Sequence, residues 1–286
     1  MNEELTRQIQ AAQEEIEPEF KTLQTALSAL KTAARLAADE KQEALAMHKA
    51  LAKLEQITPE VGRESMTAAV TAFGDTTQKA LDALAFEFAR DLKEVFEEQG
   101  KIVSGRPPTL VVAPFVLQID VAARKAQWFY GKEPLTRLIP LSIKGIIKAY
   151  DQQYKAIASR EIDTAAFLVE LRKAWQKVMD KRARPSATGR INIVVAFSEL
   201  TMGRQSPRFW NAPSRSTFKD YPRELFVRDL VLLQDSGQST LTVDGKEYQL
   251  RLGVATKSNA DSATRSIWVP NGPLDGEYYS DLIFEE

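Results

Sequence analysis

Along the first hundred residues, apolar positions recur at alternating spacings of three and four. Leu5, Ile9, Ala12 and Ile16, then Leu23, Leu27, Leu30, Ala34, Ala37, Ala44, His48 and Leu51, trace one seam. This is the heptad signature of helices that pack along a shared face. The residues between are mostly Glu, Lys, Gln and Ala, which lose little conformational freedom in a helix. Pro18 predicts a helix start or kink near Glu17. Thr58-Pro59-Glu60 predicts a restart, with Thr58 as N-cap and Pro59 in the first helical position. Helices are therefore expected over about 18–56 and 59–99, the second interrupted at Gly74-Asp75 and carrying Leu81, Leu84, Phe88, Leu92 and Phe96 as a bulkier stripe. Helices this long outgrow a compact core, so the apolar face calls for a return helix or another chain. The expectation for residues 1–100 is a helical hairpin or coiled-coil arm.

The pattern changes after 101–108, where Gly105 and Pro107-Pro108 suggest a linker. Residues 109–131 read as two or three strands with a turn over Ala122–Lys125. Two amphipathic helices follow, one carrying Ile143, Ile146, Ile147, Tyr150, Tyr154 and Ile157, the other opened by Asp163 and carrying Phe167, Leu171, Trp175 and Val178. The short apolar run at 191–197, INIVVAF, has the texture of a buried strand. A helix is expected from Asp220-Tyr221-Pro222 to about Gln234, then a hairpin turning at Asp244-Gly245, then strands near 264–269 and 278–284. The chain as a whole reads as α+β: an N-terminal arm, then a mixed domain over 109–286 whose C-terminal part, 239–284, is rich in strands. Its helix-then-hairpin order is that of a winged helix, which would offer Arg223 and Arg228 to a duplex groove.

Charge sharpens this division. The whole chain is nearly neutral at −1, but residues 1–100 hold 11 basic and 19 acidic side chains (−8), residues 101–230 hold 23 and 11 (+12), and residues 231–286 hold 4 and 9 (−5). Asymmetry of this size speaks to partners rather than to fold. The excess of base is densest at 172–190, which holds seven Lys or Arg and one Asp. Bases then interleave with aromatics through residue 223. The residues expected to contact nucleic acid are Arg172, Lys173, Lys177, Lys181, Arg182, Arg184, Arg190, Arg204, Arg208, Trp210, Arg215, Lys219 and Arg223. Long cationic side chains neutralise phosphates, and exposed aromatic faces stack on unpaired bases. Two rivals stand beside this reading: an acidic protein surface, including the chain's own arm or a copy of it, and a solvated helix end whose cations complement the helix dipole.

Enzymatic chemistry has little support. The chain has no cysteine and a single histidine, His48, which removes Ser-His-Asp and Cys-His nucleophilic arrangements and histidine or thiolate metal sites. No glycine pattern matches a phosphate-binding loop. A carboxylate nuclease would have to draw on Asp120, Glu199 and Asp244 with Lys246 and Glu247, which are scattered, and Asp244 is already explained by its turn. No cofactor is expected. The lack of cysteine, of a signal-like N-terminus and of a membrane-length apolar run leads to the expectation of a cytoplasmic protein with no membrane partner.

The reading is thus of a non-enzymatic interaction subunit. It would dock through its arm, to itself or to another chain, and engage nucleic acid, DNA ahead of RNA, or an acidic partner through 172–223. Subunits of bacterial DNA-processing or antiviral defence assemblies combine such parts, a fold-level analogy. A metal-dependent nuclease and a structural oligomeric adaptor are the alternatives.

Overall fold

The computed structural model describes residues 2–39, 43–182 and 188–286. The chain divides into two compact units. The first comprises residues 1–95 with 106–108 and 119–125, and the second comprises 96–105, 109–118 and 126–286.

Three helices dominate the N-terminal region: α1 (Asn2–Ala37), α2 (Ala44–Val61) and α3 (Glu64–Glu98). Long N-terminal helices are as expected, but their boundaries are not. Helix α1 runs through Pro18, because residues 3–20 are all exposed and the carbonyl that proline leaves without a donor meets water. Helix α2 likewise continues through Thr58 and Pro59. Thr58 does not cap a new helix; its hydroxyl donates back to the Leu54 carbonyl at 2.6 Å. Termination falls instead to Gly62, which holds the left-handed conformation at φ 63° and donates its N–H to the Thr58 carbonyl. No break occurs at Gly74 in α3; a β-carbon there would meet Leu51 of α2 at ordinary contact distance, 3.7 Å.

The buried residues of this bundle include Ala26, Ala33 and Leu36 from α1, Met47, Ala50 and Leu54 from α2, and Met66, Val70, Phe73 and Ala80 from α3. On α1 the buried face is therefore not the expected seam. Leu5, Ile9, Ile16 and Leu27 of that seam are exposed, as is Phe20. His48 lies on α2, half-buried.

Among the described residues the strands form two sheets. The first joins β1 (Val103–Arg106), β2 (Thr109–Val112), β3 (Phe115–Asp120), β4 (Lys125–Tyr130) and β5 (Glu133–Pro134) in that order, with β6 (Ile139–Pro140) also paired to β4. The stretch 101–108, read as a linker, thus holds a strand. Helix α4 (Ile143–Gln153), extended by a π-helical turn over Tyr154–Ala158, buries Ile146 and Tyr150. The Trp128 indole donates to the Ile146 carbonyl, and the Tyr150 hydroxyl donates to the Ala113 carbonyl. Phe96, Phe115, Trp128 and Tyr150 form an aromatic cluster, edge-on except for the tilted Trp128–Tyr150 pair.

The remaining elements are α5 (Thr164–Asp180), β7 (Ile191–Asn192), α6 (Ile193–Gly203), α7 (Pro207–Asn211), α8 (Arg223–Asp235), β8 (Thr240–Val243), β9 (Lys246–Val254), α9 (Lys257–Ala260), β10 (Ile267–Pro270) and β11 (Gly276–Glu285). The second sheet runs β10-β11-β9-β8, with β7 also paired to β11. Helices α5, α6 and α8 pack on one another and against β10 and β11. As anticipated, Asp163 caps α5, accepting the Ala166 N–H at 2.9 Å. Asp244 (φ 52°) and Gly245 (φ 77°) turn the β8–β9 hairpin with two left-handed residues in succession. The helix-then-hairpin order stands, and β9 also pairs with β11 along its other edge.

The run INIVVAF is the clearest departure. Only Ile191 and Asn192 are strand; the rest begins α6. Asn192 is the cause. Its side-chain carbonyl accepts the N–H groups of Val194 and Val195, while its amide donates to the carbonyls of Arg265 and Ser280. That cap starts a helix whose apolar surface is buried on one side through Ile193, Ala196 and Leu200.

Candidate nucleic-acid interface

The predicted basic residues fall into two groups that differ in what they touch. Helix α5 buries Phe167, Leu168, Leu171, Ala174 and Trp175, which sends its cations toward its other side. There they meet protein. The Arg172 guanidinium lies 4.4 Å from both the Trp175 and Tyr248 ring centres and donates to Gln176. Lys177 and Lys181 both reach Glu199 of α6, Lys177 at 3.1 Å. The hydrogen bond from Lys181, helped by Lys177, holds the Glu199 carboxyl below its usual range. Arg182 donates to the Arg190 carbonyl at 2.9 Å. Arg184 lies outside the described residues.

Arg204, at the end of α6, is tied more firmly. It donates twice to Glu170, at 2.6 and 2.9 Å, and lies 3.9 Å from the Tyr221 ring centre. It also stands 3.9 Å from Asp229, a carboxylate with no solvent exposure. Arg160 grips Asp229 with two hydrogen bonds of 2.6 and 3.0 Å, and the Tyr221 hydroxyl donates to it at 2.7 Å. Burial, reinforced by Asp229, pushes the Tyr221 phenol far up, so that it stays a donor. The bond to Asp229 likewise raises Arg160. A buried carboxylate enclosed by these donors is costly to leave unpaired and is closed to solvent, so it belongs to the structure rather than to an open ligand site.

Arg223 is committed as well, donating to Glu133 at 2.7 Å and to the carbonyls of Ala263 and Ser266. Burial raises the Glu133 carboxyl, against the pull of Arg223. Arg228 donates to the Ala158 carbonyl. Neither arginine that a winged-helix reading would turn toward a groove is therefore unengaged.

The second group sits on residues 205–219. Gln205, which is buried, closes this segment: its amide donates to the Thr201 and Lys219 carbonyls at 2.9 Å each, and its carbonyl oxygen accepts the Lys219 N–H at 2.8 Å. Within the closure, Phe209 packs edge-on against both Trp210 and Phe218. Thr217 fastens the turn beyond α7, accepting the Ser214 N–H and donating to the Ala212 carbonyl. The result is a self-packed surface loop of the Ω kind. Trp210 remains 53 % exposed, and Arg208, Arg215 and Lys219 are exposed too. Among the described residues their side chains have no ion pair or hydrogen bond. Residues 205–219 contain no Asp or Glu. Lys173 and Arg190 are also exposed but lie away from this loop in sequence, on α5 and before β7.

The nuclease carboxylates have local partners instead of one another. Asp120 accepts the Ala123 N–H at 2.8 Å in the turn after β3, Glu199 holds its two lysines, and Asp244 forms its hairpin. Among the described residues, no three Asp, Glu or His side chains are grouped closely enough to hold a metal. Nor is any described helix long and apolar enough to cross a membrane.

Sequence reasoning missed Gln205. A Gln fourteen residues from the backbone it clamps carries no local signal. No known protein family, characterised protein or solved structure matches this chain.

Proposed function

We propose that this protein is a non-enzymatic interaction subunit that binds single-stranded nucleic acid, DNA in the first instance, through the loop at 205–219. The observation that carries the reading is a half-exposed Trp210 on the same acid-free stretch as three exposed cations, a stretch whose ends are clamped by a buried glutamine. An exposed aromatic face offers stacking to a base, worth about 1–3 kcal/mol. Arg208, Arg215 and Lys219 offer charge to the phosphates on either side. An unpaired strand suits this loop better than a duplex, because only unpaired bases present their faces to an indole.

The test is a fluorescence-anisotropy titration of a labelled single-stranded oligonucleotide at several salt concentrations. Three phosphate contacts on a single strand give a slope of about −2 in log affinity against log salt. Affinity that does not change with salt, or equal affinity for an acidic polypeptide of the same length, rejects the proposal and favours an acidic protein partner.

A further inference from the structure

The exposed stripe on α1 is the largest feature left unexplained. Leu5, Ile9, Ala12, Ile16, Phe20, Leu23 and Leu27 fall within an arc of roughly 80° at 3.6 residues per turn. That arc is centred roughly 110° around the helix from the face that buries Ala26, Ala33 and Leu36. Leu5 is 54 % exposed and Ile16 63 %, and every side chain from residue 3 to residue 20 is exposed. Other chain segments therefore cover the C-terminal half of α1 on a neighbouring face and leave the stripe open, except at Leu23, which is half-buried.

The spacing of the stripe identifies its occupant. Its positions are symmetric about Ile16: Leu5 and Leu27 stand eleven residues away on either side, Ile9 and Leu23 seven, Ala12 and Phe20 four. A two-fold interface requires that if residue i meets residue j, then j meets i. An antiparallel second copy of α1 with its axis at Ile16 meets that condition at every position. It sets Leu5 on Leu27, Ile9 on Leu23, the small Ala12 beneath the large Phe20, and Ile16 on itself. Large against small and branched against branched is the interdigitation a helix seam needs. A parallel pair would instead stack Phe20 on Phe20 and Ala12 on Ala12.

The area is sufficient. At about 100 Å² for each of the five most exposed side chains, the pair removes roughly 1,000 Å² from water, the threshold of a specific interface. Ala12, Leu23 and the flanking glutamines add to that. We infer that the α1 stripe is the interface of an antiparallel homodimer centred on Ile16. This inference stands independently of the nucleic-acid reading.

The flanks carry a signature. Glu15, Glu17 and Glu19 border the stripe beside the axis, only Glu17 paired within its own helix, with Lys21 at 2.6 Å, so the two copies bring a net excess of like charge together there. Salt screens that repulsion, so dimerisation strengthens as salt rises, the reverse of the response expected for nucleic-acid binding.

The chain has no native cysteine, which allows a clean cross-linking test on the full-length protein. Under mild oxidation, Ile16→Cys should give a disulfide-linked dimer with itself, and a mixture of Leu5→Cys and Leu27→Cys should cross-link, while Leu5→Cys alone should not. Ile16→Asp should raise the dimer dissociation constant about 100-fold in sedimentation equilibrium. Its helical circular dichroism should change little, because Ile16 is 63 % exposed in the single chain. A wild-type chain that stays monomeric at tens of micromolar in high salt, Leu5→Cys linking to itself, or a stripe covered only in a complex with a different protein would each overturn the inference.

Discussion

The cations of α5 and α6 and those of the 205–219 loop are the same residue types at similar density, and they differ in what surrounds them. Lys177, Lys181 and Arg204 face Glu199, Glu170 and Asp229, all on helices that pack together. Arg208, Arg215 and Lys219 stand on a loop without an acid of its own. A net charge of +12 over residues 101–230 therefore overstates the surface available to phosphate. What counts is charge without a protein partner, together with an aromatic face that the core has not absorbed.

Removing the buried member of the first group should have the largest effect. Asp229→Ala leaves Arg160 and Arg204 without their shared carboxylate and Tyr221 without its acceptor, and should cost about 3–5 kcal/mol of stability in chemical denaturation. A loss below 1 kcal/mol would break the distinction between structural and available cations. Reversing the charges of the second group should do the opposite. Arg208→Glu, Arg215→Glu and Lys219→Glu together should weaken oligonucleotide binding about 100-fold at low salt and flatten its salt dependence, with stability changed by no more than about 0.5 kcal/mol.

Trp210→Ala should cost about 1–3 kcal/mol of binding to a single strand and lower the unfolding midpoint only slightly, since the side chain is half outside the protein and packs edge-on against Phe209 alone among the described rings. The smallest effect concerns Glu199. Its carboxyl is held below its unfolded value, so its contribution to stability is present at neutral pH, above that value, and is lost as pH falls through the folded one. Both lysines are about half exposed, so Glu199→Gln should cost only about 0.5–1 kcal/mol at pH 7, and the difference from wild type should shrink as pH falls below the ordinary carboxylate range and vanish in strong acid. A difference that persists there would assign Glu199 a packing role instead.

Much of the architecture was legible because it is written locally. Asp163 ahead of an amphipathic run, and Asp244-Gly245 between two strand-like segments, carry their meaning within a few residues. INIVVAF misled because an apolar run has no period to read, and the deciding feature was Asn192, whose cap depends on carbonyls at Arg265 and Ser280. Pro18 and Pro59 misled for another reason: a proline is tolerated inside a helix where water takes up the loss, as at Pro18, or close to the helix end, as at Pro59. The candidate interface was legible as a region but not in detail. Arg204 finds Glu170 across 34 residues and Arg223 finds Glu133 across 90, and nothing local reveals that those charges are already satisfied. The loop is what remains once they are withdrawn.

The most direct test is to map where the nucleic acid lies. A single-stranded oligonucleotide carrying a photoreactive pyrimidine, cross-linked to the full-length protein and followed by peptide mass spectrometry, should place its adducts within residues 205–219, with Phe209 and Trp210 foremost. Adducts confined to residues 172–182, with the loop unmodified, would contradict the account.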